Sequence, residues 1–193
     1  MTGKPDRFNA LMLVTYRIRP DANEDEYEDW LRRVDNPFFN ASPLAERYVN
    51  WKISVGGAPV FAPNTYFDLW DMSDTDRFGP VRNDPALNVF RAEWHRLWGL
   101  DGEGQAGQMQ GVLLERVVAA PQTRSLHLAL LPAADAMPRA DWQAWRVAQH
   151  FRGPPPAAPF FHTRFARDAE DAAELARAHP GAVLSHIVAA PAD

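Results

Sequence analysis

Three histidines lie in segments of the second half of the chain that have the apolar character of β-strands. His127 and His162 alternate with apolar residues, and Arg164 has the parity of His162. These side chains are therefore predicted to share the sheet face that points away from the helices. His186 lies in the last such segment, where its face is ambiguous. A neutral imidazole can donate or accept a proton near neutral pH, and a guanidinium can stabilise developing negative charge, so we predict an acid–base site from these four residues.

Two other interpretations of the three histidines stay open. Each imidazole could be a hydrogen-bonded residue of the interior or of an interface, because buried polar groups usually have such partners. The three together could also bind a metal ion, since imidazole nitrogen is a common zinc ligand. The chain has neither an H-x-H nor an HExxH spacing, and we therefore predict no metal site.

A further histidine in the first half is a second candidate for acid–base chemistry. His95 follows Trp94, which belongs to the apolar stripe of a predicted helix. The imidazole is therefore expected at the margin of that stripe, where it could reach a pocket between helix and sheet. The alternative is a histidine that faces solvent.

One carboxylate stands among aromatic residues of a predicted strand. Asp68 alternates with Tyr66 and Trp70. A carboxylate in such surroundings needs a partner, and burial would raise its pKa towards that of a general base. The alternative is a salt bridge to Arg47 or Arg17.

The chain is rich in aromatic residues, with seven Trp, eleven Phe and four Tyr. Two similar segments, residues 36–39 and 158–161, each place a pair of phenylalanines after a predicted helix. Such side chains line apolar ligand pockets, although core packing is their more common use. The residues predicted to bind a small apolar or aromatic molecule are Tyr16, Tyr48, Tyr66, Trp70, Trp94, Phe39 and Phe161.

Hydrophobic periodicity predicts the elements that position these residues. In the first half, strands are expected over residues 8–18, 47–55, 65–72 and 111–118. One helix is expected between the first two strands and another before the last, with Asp84 as its N-cap and Pro85 at its first position. Glycine and proline mark the links at residues 56–59 and 101–108. The order βαββαβ is that of ferredoxin-like folds.

The first helix carries clear end signals. Asn23 is predicted to cap it, with Glu26 as the capping-box partner, and Asn36-Pro37 to end it. Its predicted buried stripe consists of Tyr27, Trp30, Leu31 and Val34.

The second half repeats parts of the first. Residues 113–121 and 183–191 are similar apolar runs that both end in Ala-Ala-Pro. Tyr27-Glu-Asp-Trp30 is echoed by Trp142-Gln-Ala-Trp145, so a helix is predicted there. Strands are expected over residues 125–131, 160–167 and 182–188, and a short helix over 171–179. Residues 153–159 are too few to include another strand, and we therefore predict a shortened βαβαβ unit.

The chain is accordingly divided into a first ferredoxin-like half, residues 1–121, and a second, truncated half, residues 122–193. The predicted fold class is α+β. Chance similarity between short apolar runs is the alternative to a repeat.

Three segments, TYFDLWDMSDTDRF (65–78), NDPALNVFRAEWHRLWG (83–99) and GVLLERVV (111–118), resemble dimeric α/β-barrel proteins, particularly the EthD-like group. The resemblance implies two ferredoxin-like units packed sheet to sheet, which a chain with two copies could form by itself as an intramolecular barrel. Members of that superfamily include cofactor-free monooxygenases, polyketide cyclases, lactone isomerases and haem-dependent enzymes. Fold alone does not choose among these activities.

The composition excludes several classes of protein. The formal net charge of −5 gives no cationic surface for nucleic acid or for an anionic membrane. The absence of Cys excludes disulfides, thiolate metal sites and cysteine nucleophiles. No apolar run reaches the length of about 18 residues that a membrane helix needs, so a cytoplasmic protein is expected. Nucleotide-binding fingerprints are also missing from the sequence.

We expect a small-molecule enzyme of the isomerase, cyclase or lyase type that transfers protons on an apolar, aromatic or polyketide-like substrate without an organic cofactor. A non-catalytic ligand-binding or dimerisation module is the first alternative, and homodimer formation is compatible with either interpretation. A haem- or metal-dependent enzyme of the same superfamily is the second alternative.

Overall fold

Eight β-strands close into one antiparallel barrel in the computed structural model, which describes residues 8–43, 45–55, 63–100, 109–137 and 139–191. The strands are β1 (Ala10–Tyr16), β2 (Arg47–Val55), β3 (Tyr66–Met72), β4 (Met109–Val118), β5 (His127–Ala133), β6 (Gln143–Arg152), β7 (Phe160–Ala166) and β8 (Val183–Ala189). Their order around the barrel is β1-β3-β2-β8-β5-β7-β6-β4, with β4 paired to β1. The predicted α+β class and the predicted barrel are confirmed.

Alternate residues of each strand fill the inside of the barrel with apolar side chains. Leu11 and Leu13 of β1 point inward, as do Leu128 and Leu130 of β5. The intervening residues point outward and are largely covered by helices and loops, which explains why both alternating sets of β1 are apolar. The barrel interior is therefore a packed core, and a ligand site is to be sought on its outer face.

Helices and helical turns cover that outer face. They are α1 (Glu24–Trp30), a π-turn (Leu31–Asp35), α2 (Asn36–Ala41), a 3₁₀ turn (Thr75–Arg77), α3 (Phe78–Arg82), α4 (Pro85–Trp98) and α5 (Ala169–Ala178). The predicted caps are confirmed, because the Asn23 side chain accepts the backbone N–H groups of Asp25 and Glu26, and that of Asp84 accepts the N–H of Ala86. Within the described ranges, no helix has the length and apolar character needed to span a bilayer.

The first helical region does not end at Asn36-Pro37, as the sequence predicted. The π-turn continues α1, and α2 begins at Asn36 with Pro37 in its first turn. Proline is tolerated in the first turn of a helix because the backbone N–H that it lacks would have no acceptor within that helix. Within the π-turn, Asp35 is buried and Val34, which was predicted to be buried, is 43% exposed.

The predicted helix around Trp142 and Trp145 is wrong, because Trp142 directly precedes β6 and Trp145 lies within it. A spacing of three fits one face of a helix, but in a strand it places the two side chains on opposite faces. Both faces are covered here: Trp145 lies in the barrel core, and Trp142 packs in the apolar cluster beneath α5. The indole N–H of Trp145 donates to Thr163 Oγ1 at 2.8 Å.

The described residues after 121 therefore form four strands and one helix, and the predicted loss of a strand is wrong. Their element order is β5-β6-β7-α5-β8. The strand order β8-β5-β7-β6 matches the order β4-β1-β3-β2 of the first half, position for position. The predicted links at residues 56–59 and 101–108 lie outside the described residues.

Candidate active site

A cavity of about 160 Å³ lies on the outer face of the barrel, between β1, β3 and β4 and the helices α2, α3 and α4. The outward-facing set of strand residues forms its floor, including Met12 and Val14 of β1. Its walls are mainly aromatic and include the rings of Tyr16, Phe39, Tyr48, Trp70, Phe90 and Trp94. Five of these six rings belong to the seven aromatic residues that the sequence singled out. Phe90 was not predicted.

The other two, Tyr66 and Phe161, lie elsewhere. The ring of Tyr66 stacks on that of Tyr16 at 5.9 Å between centroids, and its hydroxyl donates to Glu24 at 2.9 Å. Phe161 points into the barrel core. Neither residue lines the cavity.

Two buried carboxyl groups, those of Asp35 and Asp68, meet at one wall of the cavity. Asn50 lies between them, with its Nδ2 atom 2.7 Å from Asp35 Oδ2 and 2.8 Å from Asp68 Oδ1. The Tyr16 hydroxyl donates to the same Asp68 oxygen at 3.0 Å. Asn36 Nδ2 donates to Asn50 Oδ1 at 3.0 Å and so fixes the orientation of the Asn50 amide.

The surroundings of the two carboxyls favour their protonated forms. Burial raises the pKa of Asp35 to about 7, although hydrogen bonds from Asn50 and Tyr48 act in the opposite direction. Burial also raises the pKa of Asp68 well above its usual value, and the charge of Asp35 raises it further. Ionising both of two neighbouring buried carboxyls would cost much electrostatic free energy, so the pair retains one proton near neutral pH.

The partners of Asp68 among the described residues are neutral. The alternative salt bridge to Arg47 or Arg17 is not formed, and Arg47 is instead 3.7 Å from Asp71 on the inner face of the barrel. Burial and the nearby Asp68 carboxylate raise the pKa of the Tyr16 hydroxyl, which therefore stays protonated as a donor. The carboxyl pair is thus stabilised by dipoles and not by a cation.

Sequence reasoning identified Asp68 but missed Asp35 and Asn50 as parts of this site. Asp35 follows Leu31 by four residues and Tyr27 by eight, so its place on the buried stripe of the helix was a usable signal. Asn50 alternates with Tyr48 in β2 and has the same outward parity. A carboxylate on an apolar stripe and an amide on an apolar strand face are the features that could have found them.

Three guanidinium groups line another part of the cavity. They belong to Arg82 in the last turn of α3, Arg91 of α4 and Arg152 at the end of β6. Among the residues that the structure describes, none of the three forms an ion pair. Arg91 Nη1 donates to Asn88 Oδ1 at 3.3 Å. No motif or periodicity in the sequence singles out these three residues.

His95 lies beside this cationic part of the cavity. Its Nε2 atom is 3.4 Å from Arg152 Nη2. Burial, followed by the charges of Arg152 and Arg91, lowers the pKa of the imidazole. His95 is therefore neutral near pH 7 and suited to accept a hydrogen bond from Arg152.

The histidines of the second half all lie on the outer, helix-bearing face of the barrel. The prediction that His127 faces away from the helices is wrong, because Leu128 and Leu130 fill the barrel interior and their neighbours must point outward. His127 and His186 are direct partners in the β5–β8 ladder. The Nδ1 atom of His186 is 2.6 Å from Ser54 Oγ, and burial followed by the charge of Lys52 lowers the pKa of its imidazole.

His162 and Arg164 do not join that pair. His162 is opposite Leu131, four residues further along β5 than His127, which corresponds to about 13 Å at the usual rise of a strand. It is fully buried, and its Nε2 atom is 3.0 Å from the carbonyl oxygen of Asp135. Arg164 is 3.4 Å from Asp171. The four predicted residues thus do not form one site, and in the described segments no three His, Asp or Glu side chains are grouped to hold a metal ion.

Comparison with known proteins gives one family match and two similar structures. The model of the family "REDY-like protein HapK" matches residues 10–101. The structure of a chlorite dismutase-like protein covers 93% of this chain and 95% of its own, with 10% identity and a TM-score of 0.51. A monooxygenase-like protein from Lactobacillus acidophilus NCFM covers 93% of both chains, with 8% identity and a TM-score of 0.47. No curated protein matches the chain significantly.

One of these matches supports the fold at a coarse level. The likeness to the chlorite dismutase-like protein spans nearly the whole chain, and at this low identity it is evidence of fold only. The family match covers Asp35, Asn50 and Asp68 but ends before Arg152. The predicted kinship with the dimeric α/β-barrel superfamily and the narrower EthD-like resemblance both stay predictions.

Proposed function

We propose that this chain is a small-molecule enzyme in which Asp35 and Asp68 transfer protons to and from an apolar or aromatic substrate bound in the outer cavity. The observation that carries the proposal is the buried carboxyl pair bridged by Asn50 at the cavity wall. Buried carboxyls with raised pKa values in a cleft are frequent among catalytic acids and bases. A purely structural pair would be costly, because apolar side chains could fill the same space without a buried charge.

The pair has the protonation state that acid–base catalysis needs near neutral pH. One carboxyl is ionised and acts as the base, and the other is protonated and acts as the acid. Asp68 Oδ1 already accepts hydrogen bonds from Tyr16 and Asn50, which leaves Oδ2 as the atom that carries a proton. Asp35, with a pKa of about 7, is the better candidate for the base.

The proton balance favours a rearrangement. The carboxylate takes a proton from one atom of the substrate, and its partner gives a proton to another atom. The pair ends with one proton, as it began, and the substrate keeps its composition. Isomerisation fits this cycle, and cyclisation fits it if a ring bond closes between the two transfers. No organic cofactor takes part in these steps.

The shape and lining of the cavity support an apolar substrate. Aromatic rings form most of its walls, and such walls favour flat, unsaturated molecules. The similar structure is named after an enzyme that acts on chlorite, a small molecule, and this supports the proposal of a small-molecule enzyme.

A haem enzyme is a poor fit to this cavity. Haem iron is held by His, Cys, Tyr or a Met paired with His. The cavity lining among the described residues includes no His, and both of its tyrosines are hydrogen-bonded within the carboxyl network. We derive no step through haem, and absorbance of the purified protein in the Soret region tests this directly.

The chain is also proposed to consist of two fused ferredoxin-like units, residues 1–121 and 122–193. The identical strand order of the two halves supports this division. The cavity with the carboxyl pair belongs largely to the first unit, and the second contributes Phe151 and Arg152. The second unit would then have lost its first helix and with it the counterpart of this cavity.

The proposed activity can be tested before the natural substrate is known. The probe is 2-tetralone, a flat neutral ketone with acidic C–H bonds, whose exchange of hydrogen for deuterium in D₂O is followed by NMR. The protein should accelerate this exchange, and Asp35→Asn or Asp68→Asn should reduce the acceleration by about 10²–10⁴-fold, as for loss of an acid–base group. His186→Gln is the matched control and should leave the rate unchanged.

Exchange that is not accelerated, or that both Asn variants accelerate as well as the wild type, would remove the carboxyl pair as the catalytic site. Loss of activity in His186→Gln alone would return the assignment to the histidines of β5 and β8. Circular dichroism confirms that each variant is folded.

A further inference from the structure

The three guanidinium groups of Arg82, Arg91 and Arg152 line the cavity without an acidic partner among the described residues. Arg91 and Arg152 are partly buried, whereas Arg82 is exposed near the entrance, with its guanidinium carbon 6.0 Å from the centroid of the Phe78 ring. Other arginines of this chain, such as Arg96 and Arg146, are paired with Glu93 and Glu115. The chain has 25 acidic and 20 basic residues, so cations without an acidic partner are unexpected on statistical grounds.

This arrangement has an electrostatic cost in the free protein. Burial and the charge of Arg91 lower the pKa of Arg152, and burial and the charge of Arg82 lower that of Arg91. Like charges that are partly removed from water repel one another more strongly than on an open surface. An anion placed between them would relieve the repulsion and replace the lost hydration.

The guanidinium groups stand at a defined place relative to the carboxyl pair. Asp68 is paired with Val14, Val14 with Gly111 and Gly111 with Arg152, so the four residues form one transverse row across β3, β1, β4 and β6. Three strand spacings of about 4.8 Å put about 14 Å between the backbones at the two ends of the row. In the middle of the row Val14 lines the cavity, and the ring of Phe151 lies over Gly111, so that two apolar groups form the floor between Asp68 and Arg152.

We infer that the cavity binds a substrate with a carboxylate group, held by Arg91 and Arg152, while the apolar body of the molecule extends over Val14 towards Asp68. A planar carboxylate matches the fork of a guanidinium, and such charged pairs form short, strong hydrogen bonds. The neutral His95 positions Arg152 by accepting a hydrogen bond from Nη2. Arg82 attracts the anion at the entrance.

The inference rests on the proposed function, because it takes the bound molecule to be the substrate of the carboxyl pair. Its test, however, measures binding and not proton transfer. Fluorescence of Trp70 and Trp94, which line the cavity, reports occupancy. The probes are 2-naphthoate and the neutral 2-naphthamide, which have the same ring system and differ in charge. 2-Naphthyl phosphate is the third probe and distinguishes a carboxylate site from a phosphate site.

The wild type should bind 2-naphthoate about 10–100-fold more tightly than 2-naphthamide, as hydrogen bonds between charged groups usually achieve. Arg91→Gln and Arg152→Gln should each remove most of this preference and leave the affinity for the amide unchanged. Arg152→Lys should retain part of it, because the charge remains and the fork is lost. Arg96→Gln is the control, since it lies on the same helix but is paired with Glu93.

Equal affinity for acid and amide would overturn the inference, as would failure of 2-naphthoate to bind in the millimolar range. Tighter binding of the phosphate than of the carboxylate would also overturn it in favour of a phosphate ester. The outcomes of the exchange assay do not depend on these results, because 2-tetralone is neutral. The carboxyl pair could therefore be correct and the anion site wrong, or the reverse.

Discussion

Asp68 and Arg152 occupy the two ends of one transverse row on the outer face of the barrel, joined through the pairings of Val14 and Gly111. Asp68 belongs to the third strand of the chain and Arg152 to the sixth, and the pairings of β1 with β4 and of β4 with β6 bring them over one cavity. The acidic end of the cavity is buried, with one proton shared between its two carboxyls, and the basic end is more open. This polarity gives a bound molecule one orientation.

The pH dependence of proton transfer should be bell-shaped. The rate should rise as pH increases through about 7, where Asp35 ionises, because the base must be deprotonated. It should fall again at higher pH, where the proton that the pair retains on Asp68 is lost. The two apparent pKa values belong to the pair and not to single residues. Initial rates of deuterium exchange between pH 5 and 10 measure the profile, and a rate that is flat across pH 7 would contradict it.

Asp35→Asn should stabilise the folded protein at alkaline pH. The pKa of Asp35 is about 7 in the folded state and about 3.9 in the unfolded chain, so the folded state binds more protons between these values. Stability is therefore greatest below the unfolded pKa and falls as pH rises towards 7. A difference of one between the folded and unfolded pKa values corresponds to about 1.4 kcal/mol, so a difference of about three corresponds to about 4 kcal/mol at pH 8. The variant loses part of the hydrogen bonding that the carboxyl receives from Asn50 and Tyr48, so the net gain in the free energy of unfolding should be roughly 1–3 kcal/mol.

Urea unfolding at pH 5 and pH 8 measures this effect, and the gain should be smaller at pH 5. Asp171→Asn is a control of opposite sign, because a backbone hydrogen bond from Arg167 and nearby arginines lower the pKa of Asp171. That variant should be less stable than the wild type at pH 8, and the difference should shrink as pH falls through the carboxyl range. A destabilised Asp35→Asn at pH 8 would show that the carboxylate has a stabilising partner.

Local signals in the sequence predicted most of the first half. Alternating apolar residues located its four strands, and the Asn23 and Asp84 caps located two helix starts, because these signals depend on neighbours in the chain. Asp68 was found in the same way, as a charge on an apolar strand. The π-turn places Asp35 and not the predicted Val34 on the buried side, and the helical period alone did not choose between these two neighbours.

The second half was harder to predict because its strands are buried on both faces. At the start of β6, Trp142 and Trp145 are both buried although they point in opposite directions, so their spacing matched that of a buried helix face. The face of the histidines depended on which alternate set fills the barrel, and that is decided by pairing between distant strands. For the same reason the sequence could not bring Arg152 and Asp68 together.

The histidines of the second half should prove dispensable for proton transfer. His127→Gln and His186→Gln should retain the exchange rate, because their ladder lies outside the cavity lining. His162→Gln should retain the rate but lose roughly 1–3 kcal/mol of stability, since it breaks a buried hydrogen bond to the Asp135 carbonyl. Thermal unfolding and exchange rates on the same samples separate the two effects, and a lost rate with unchanged stability in any of the three would contradict the carboxyl site.

Gly111→Ala should damage the cavity at the middle of the row. A Cβ atom at this position would overlap the ring of Phe151, which lines the cavity, so the ring must move. Overpacking of this kind typically costs about 1–3 kcal/mol, and the displaced ring should weaken binding of 2-naphthoate and 2-naphthamide alike. Gly79→Ala is the matched control: apart from its chain neighbours, a Cβ there meets nothing within 4 Å, so this variant should leave the affinity for both probes unchanged. Unfolding free energies and affinities for both probes test the pair. Unchanged binding in Gly111→Ala would mean that the substrate does not cross the row at β4, and the orientation from Arg152 to Asp68 would have to be abandoned.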